Sequence, residues 1–348
     1  MVFLCQISYL AYILGVLRCL ERVSPLDFDT KRSIMRVSFE PEKQGFLAVF
    51  TKTTLTHILT MATIARIIVT EADLQNKRKL FMDFVIESKR LLPKGKKHQF
   101  VLLPAGFLTF ASSTDLANTP LSEPEEETEK QKWNAEIESL QEQALVAFHQ
   151  TFDTELLTEL KSVANYFAIG INSTDTRIQF VLVYDLQSGQ PRHWTGKTYP
   201  KQGERDRLIK MPIDTHFIKD KIDGKRIAVF QCHDLSIFNP RHQRHFSPFD
   251  DERNGEERKE NTISGKIKCP FIDATLDFSP EIMLQLPHSE GTWAAKWTTL
   301  NKWLKMKHGT EIQHYATGLK RNTNKQYPLS GTQRGDVMNF ADGQWIDG

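Results

Sequence analysis

The chain has 348 residues, 40% of them hydrophobic, with 45 Lys plus Arg against 43 Asp plus Glu for a formal charge of +2. That length accommodates one large domain or two ordinary ones of ~100–200 residues each, and the 22 Phe exclude global disorder. The balanced charge excludes a chain built chiefly to coat nucleic acid, so the KGKK run at 94–97 is read as a solvated turn. Four scattered cysteines (Cys5, Cys19, Cys232, Cys269) without a CxxC exclude a disulfide scaffold and fit a reducing, cytoplasmic compartment.

Residues 2–20 are mostly apolar but carry Gln6 and Arg18, with no preceding basic segment and no small-residue cleavage site. They read as a buried or partner-binding helix rather than a signal peptide, and membrane contact through them is not favoured. Residues 1–62 form an N-terminal extension, with a small hairpin expected over 35–50 and a short helix over 55–61. From there the pattern alternates. Residues 64–70 are a short β-branched strand, 76–92 carry a helical apolar stripe ending before Pro93, and 100–104 form a second buried strand. The acidic, Pro-containing stretch 113–135 reads as a solvated insertion. A helix follows over 136–164, with Leu156, Leu157, Leu160 and Val163 on one face. Strands are expected at 166–173, 178–185, 226–232 and 282–287. Residues 241–265 read as a second charged insertion or long loop. A helix bearing Trp293, Trp297 and Trp303 precedes a tail of short strands over 311–346. Strands alternating with helices give a layered α/β domain over 63–348.

Cys232 closes a hydrophobic strand and is followed at once by His233 and Asp234. At such a strand end, backbone N–H groups are available to a developing oxyanion. A cysteine nucleophile works as a thiolate, so a cation is expected to lower its pKa from about 8.5. Lys197, after a WTG turn, is the candidate for that field, and Glu204 the candidate for orienting it or for acid/base work. Taken alone, Cys232 could equally be a small buried apolar side chain. His242 and His245 lack a second ligand pair at zinc-like spacing, so no metal site is expected. No cofactor is expected either, since neither GxxxxGK[ST] nor GxGxxG occurs.

Three ordered segments, FVLLPAGFL at 100–108, GKTYPKQGERDR at 196–207 and GKRIAVFQCHDL at 224–235, resemble the carbon–nitrogen hydrolase (nitrilase/amidase) superfamily. Lys197 and Cys232 are 35 positions apart, about the separation that the resemblance implies. IMLQLP, the Trp-bearing helix and YATGLKRN (315–322) resemble later family elements, so the likeness spans about 63–346. It implies a four-layer α-β-β-α sandwich of two mixed sheets and a Glu–Lys–Cys triad acting on a small-molecule amide or nitrile. It also implies a homodimer, with Phe107, His233 and Asp234 near the substrate. The sequence departs at one place: the general-base glutamate expected after Pro104 is Ala105. Three readings follow from Ala105. The chain is a substituted, inactivated form of a hydrolase; or it uses Glu204, His233 or Asp234 as base; or it is a catalytically silent module that binds a small ligand or a protein partner.

Overall fold

A computed structural model describes residues 64–113, 116–288, 294–317, 337–341 and 344–346. The expectations for residues 1–62 and for Trp293 lie outside the described residues. The elements are β1 (Ile64–Ile67), α1 (Glu71–Gln75), α2 (Lys77–Leu91), β2 (His98–Leu102), β3 (Leu108–Phe110), α3 (Glu127–Thr151), α4 (Thr154–Val163), β4 (Ala164–Ser173), β5 (Gln179–Asp185) and β6 (Gln190–Gly196). They continue as β7 (Ile227–Gln231), α5 (Gln243–Phe246), α6 (Asp250–Arg253), α7 (Gly265–Phe278), β8 (Ile282–Leu286), α8 (Ala294–His308), β9 (Gln313–Ala316), β10 (Val337–Ala341) and β11 (Gln344–Ile346).

Eight strands form a mixed sheet in the order β11-β10-β1-β2-β4-β5-β6, with β3 beside β4. A second sheet, β7-β8-β9, is parallel in its described strands. Alternation along the strands explains how the two stack. Ile169 and Ile171 of β4 and Phe180, Leu182 and Tyr184 of β5 point to one side, into a core filled by α2, α3 and α4. Ala168 of β4 and Val181 and Val183 of β5 point to the other, against Ile227, Val229, Ile282, Leu284 and Leu286 of the second sheet. The outer face of that second sheet, Ala228, Phe230 and Met283, is covered by Ile272 and Leu276 of α7 and Trp297, Trp303 and Leu304 of α8. The layers are therefore helix, sheet, sheet, helix. Both faces of the central strands are dry, which is why they read as continuous apolar runs. No described helix is long and apolar enough to cross a membrane.

Local chemistry corrects three sequence-based expectations. The acidic stretch 113–135 is not all loop: from Glu127 it is the first two turns of α3, and Trp133 is buried there with its indole N–H on Pro120 O (3.1 Å). Acidic residues suit a helix start because they face the positive end of the dipole. The helix expected over 136–164 is two helices, because Asp153 leaves α3 and caps α4 by accepting the Leu156 N–H (2.8 Å). Residues 241–265 are not a free loop; α5 and α6 lie within them, and Arg258 holds Asp273 of α7 with two 2.9 Å hydrogen bonds.

Burial pushes four histidines down to about 4: His98 on β2, His193 on β6, His216 and the half-buried His233. The fold favours their neutral form, so their contribution is complete above pH 6.5 and is lost as pH falls through 4. The buried carboxyl of Asp234, which burial pushes up to about 7, works in the opposite sense. Between those limits the unfolded chain binds more protons on the four histidines and one fewer on Asp234, with the half-exposed His233 counting for less than a full proton. For a net two to three protons, stability is expected to fall by about 3–4 kcal/mol per pH unit at its steepest. Urea midpoints taken from pH 7 to 4.5 check this, and His98→Gln should lower the slope by about a third to a half. A flat profile, or an unchanged slope in that variant, contradicts the assignment.

Candidate active site

The two sheets present their strand ends together. Gln231 of β7 pairs with Leu286 of β8, so the next residues, Cys232 and Pro287–His288, leave the second sheet side by side. Cys232 has φ 29°, a left-handed conformation that a non-glycine residue adopts only at a cost of about 1–3 kcal/mol. Two bonds hold it there: its N–H donates to Leu286 O (3.1 Å), and Gln285 Nε2 donates to its carbonyl (3.0 Å). The turn leaves Cys232 half-buried while Gln231 and Asp234 on either side are fully buried. The backbone N–H of His288 donates to the thiol sulfur.

Lys197 is delivered differently from the sequence expectation, which placed it after a turn. Trp194-Thr195-Gly196 is the end of strand β6, and the Lys197 N–H extends that edge to Gln179 O (3.1 Å). Gly196 is required, because a Cβ there would lie 2.6 Å from Gln179 O. Lys197 Nζ is 2.5 Å from Glu204 Oε2, both side chains being nearly sealed from solvent. Glu204 also accepts from Lys201 N (3.1 Å) and Gln179 Nε2 (3.4 Å). Burial raises the Glu204 carboxyl, but the Lys197 hydrogen bond and charge outweigh it and hold the group below its ordinary value.

Position 105 lies on the opposite side of the same peptide segment. Ala105 N–H donates to Pro287 O (3.3 Å), while the next residue, His288, gives its N–H to Cys232. Ala105 is fully buried over β4, where a Cβ on Gly170 would come within 2.3 Å of the Ala105 Cα. Ala105, Lys197, Glu204 and Cys232 are thus assembled around the strand ends.

Of the other sequence candidates, Phe107 and Asp234 turn their side chains inward, while His233 stays beside Cys232. Phe107 packs its ring edge-on to Phe81 in the helix-side core (5.8 Å between centroids). Asp234 does not face the site: its Oδ1 accepts from Thr198 N (3.1 Å) and Tyr199 N (2.7 Å), and its Oδ2 from Gln231 N (3.1 Å). His233 is half-buried; burial, then the charges of Lys197 and Lys296, push it down to about 4, so at neutral pH it is uncharged. His245 sits 3.3 Å from Glu256.

The expected lowering of the Cys232 thiol is also overturned. Burial pushes it up by more than Lys197 and the His288 N–H pull it down, and the Asp234 and Glu204 carboxyls add to the rise. Lys197 is the largest of the influences that lower it, although Glu204 stands at contact distance from the same ammonium. The Cys232 side chain is therefore a thiol at neutral pH.

Sequence reasoning missed three contributors. His288 approaches Cys232 through its backbone and Asn172 Nδ2 through its ring (2.9 Å), and Lys296 of α8 donates to Ser236 Oγ (2.9 Å) just beyond Cys232. Burial pushes Lys296 down to about 8. A signal existed for His288 alone, since a parallel strand beside the cysteine strand must end next to it.

No family model matches the chain, and no curated protein matches it. Solved structures do. A mutant amidase from Nesterenkonia sp. AN1, carrying the acetamide moiety of fluoroacetamide at its active-site cysteine, is 9% identical over 74% of this chain and 75% of its own, with a TM-score of 0.42. A carbon–nitrogen hydrolase from Helicobacter pylori G27 is 10% identical over 73% of this chain and 72% of its own, TM-score 0.36. A CN-hydrolase superfamily protein from Xanthomonas campestris with an arsenic adduct in its active site is 13% identical over 77% of both chains, TM-score 0.34. These three solved structures are, by their own descriptions, an amidase, a carbon–nitrogen hydrolase and a CN-hydrolase superfamily protein.

Proposed function

We propose that the chain is a thiol-dependent hydrolase of non-peptide carbon–nitrogen bonds, an amide or a nitrile, in a form whose general base is replaced by Ala105. The observation that carries this reading is the convergence of a strained, half-buried Cys232 with the buried Lys197–Glu204 pair at one set of strand ends. The Cys232 sulfur attacks the amide carbon, forming a C–S bond while the carbonyl electron pair moves to oxygen. Lys197 stabilises that oxyanion together with neighbouring backbone N–H groups. The C–N bond then breaks, the nitrogen leaves with the thiol proton, and water cleaves the thioester to the acid and regenerates the thiol. With a nitrile the sulfur adds to the C≡N carbon and the thiol proton goes to nitrogen, giving a thioimidate; one water adds and ammonia leaves to give the thioester, which a second water cleaves.

The missing carboxylate would affect both halves of this cycle, because the same base that takes the thiol proton later activates water. An activated substrate relieves the first demand and not the second. Full-length protein incubated with p-nitrophenyl acetate is therefore expected to accumulate acetyl-Cys232, identified by peptide mass spectrometry with Cys269 as internal control. Because the thiol is pushed up, the rate should keep rising through pH 9. Failure of Cys232 to acylate faster than Cys269 at any pH overturns the hydrolase reading. The second reading, a silent module that binds a small ligand or a partner, is favoured by one observation: nothing at position 105 can take the thiol proton. A persistent acyl adduct counts against it, because a purely binding site has no reason to present an acylable thiol. A cytoplasmic location and a homodimer complete the proposal.

A further inference from the structure

We propose that Asp234 is a positioning residue: one buried carboxylate that clamps the Lys197 strand exit to the Cys232 turn and so sets the separation of cation and nucleophile. The inference rests on the thiol-hydrolase reading of the same site. Its geometry is direct. The two N–H groups taken by Asp234 Oδ1 belong to Thr198 and Tyr199, the residues immediately after Lys197. The N–H taken by Oδ2 belongs to Gln231, the residue immediately before Cys232. Lys197 and Cys232 come from different sheets, and these three bonds link them through one side chain.

The surroundings argue for a role in placement rather than in net stability. Asp234 is fully buried, and an ionised carboxylate there carries a desolvation cost that a well-packed apolar side chain would not. The charged groups facing it are few: Lys197, whose charge favours the carboxylate, and His216, whose Nε2 is 4.0 Å from Oδ2. His216 is itself fixed, with Nδ1 2.8 Å from Val229 O and Nε2 2.8 Å from Thr198 Oγ1. The same histidine thus braces the Thr198 loop against β7, parallel to the clamp.

Asp234→Asn separates positioning from simple electrostatics, because the two predict opposite signs. The Asp234 carboxylate raises the Cys232 thiol through its charge, so removing that charge alone should make the thiol easier to ionise. Removing the clamp should make it harder, since an amide cannot replace three N–H acceptor contacts and Lys197 drifts away. The rate of Cys232 alkylation by iodoacetamide, measured against pH in full-length protein, is expected to fall about tenfold at pH 8 in Asp234→Asn, as for a thiol titrating one pH unit higher. An unchanged or faster rate overturns the proposal. A second measurement needs no variant and no reactive thiol. In the wild-type protein the amide hydrogens of Thr198, Tyr199 and Gln231 should exchange with one common protection factor above pH 7. Thr198 and Tyr199 exchanging a hundredfold faster than Gln231 would overturn the clamp. Alkylation and exchange involve no acyl transfer, so failure of the hydrolase reading appears separately, as absence of acetyl-Cys232.

Discussion

Replacing Ala105 by glutamate is expected to raise the rate of Cys232 acylation by simple amides by about 10²–10⁴-fold, the range that a positioned general base contributes. The resting thiol is protonated, because burial outweighs the pull of Lys197, and Glu204 already engages Lys197 at 2.5 Å. No described carboxylate therefore stands ready to take the thiol proton. The resemblance puts such a carboxylate at position 105, and Ala105 and Cys232 both contact one short segment, at Pro287 and His288. Against the gain stands crowding. Ala105 is fully buried over Gly170, and overpacking of such a site costs about 1–3 kcal/mol. A 10²–10⁴-fold acceleration corresponds to about 3–5 kcal/mol, and it acts on the rate per folded molecule, whereas crowding acts on the folded fraction. Rates should accordingly be normalised to folded protein by circular dichroism. A folded Ala105→Glu that acylates no faster than the parent would dismiss the inactivated-hydrolase reading and leave the binding module.

Lys197→Met is expected to lower stability by about 3 kcal/mol, because it leaves the Glu204 carboxylate inside the protein with only the exposed Lys201 ammonium, at 3.8 Å, as counter-ion. Only 1% of the Lys197 side chain and 7% of the Glu204 side chain are exposed, so water cannot take over the missing partner. Three contacts to Glu204 remain, Lys201 N, the long Gln179 bond and the exposed Lys201 ammonium at 3.8 Å, and none of them is a buried cation at contact distance. Neutralising both partners removes the problem rather than doubling it. Lys197→Met combined with Glu204→Gln should recover most of the loss in urea denaturation. Additive losses from the two substitutions would mean that the pair is solvated in solution and that Lys197 is held by something other than Glu204.

The sequence by itself determined which segments are dry on both faces and which residues stand at their ends. Runs such as YFAIGINS, IQFVLVYD and RIAVFQC are apolar through their centres with polar residues mostly at their ends, so they call for a buried sheet whatever the topology. Three ordered segments carried the resemblance from which a site of Ala105, Lys197, Glu204 and Cys232 was expected. Helix boundaries near 127 and 153 depended on charge–dipole and capping interactions that an acidic, Pro-containing stretch conceals. Tertiary structure alone decided the chemistry of the site. A pKa is set by what surrounds a group in three dimensions, so the raised thiol of Cys232 could not be read from spacing. Likewise, nothing in the string QCHDL indicates that Asp234 turns inward to hold the backbone of residues 198 and 199, more than thirty positions earlier. Local sequence specifies burial, but only the stacking of two sheets brings their strand ends, and the few polar groups found there, within hydrogen-bonding distance of one another.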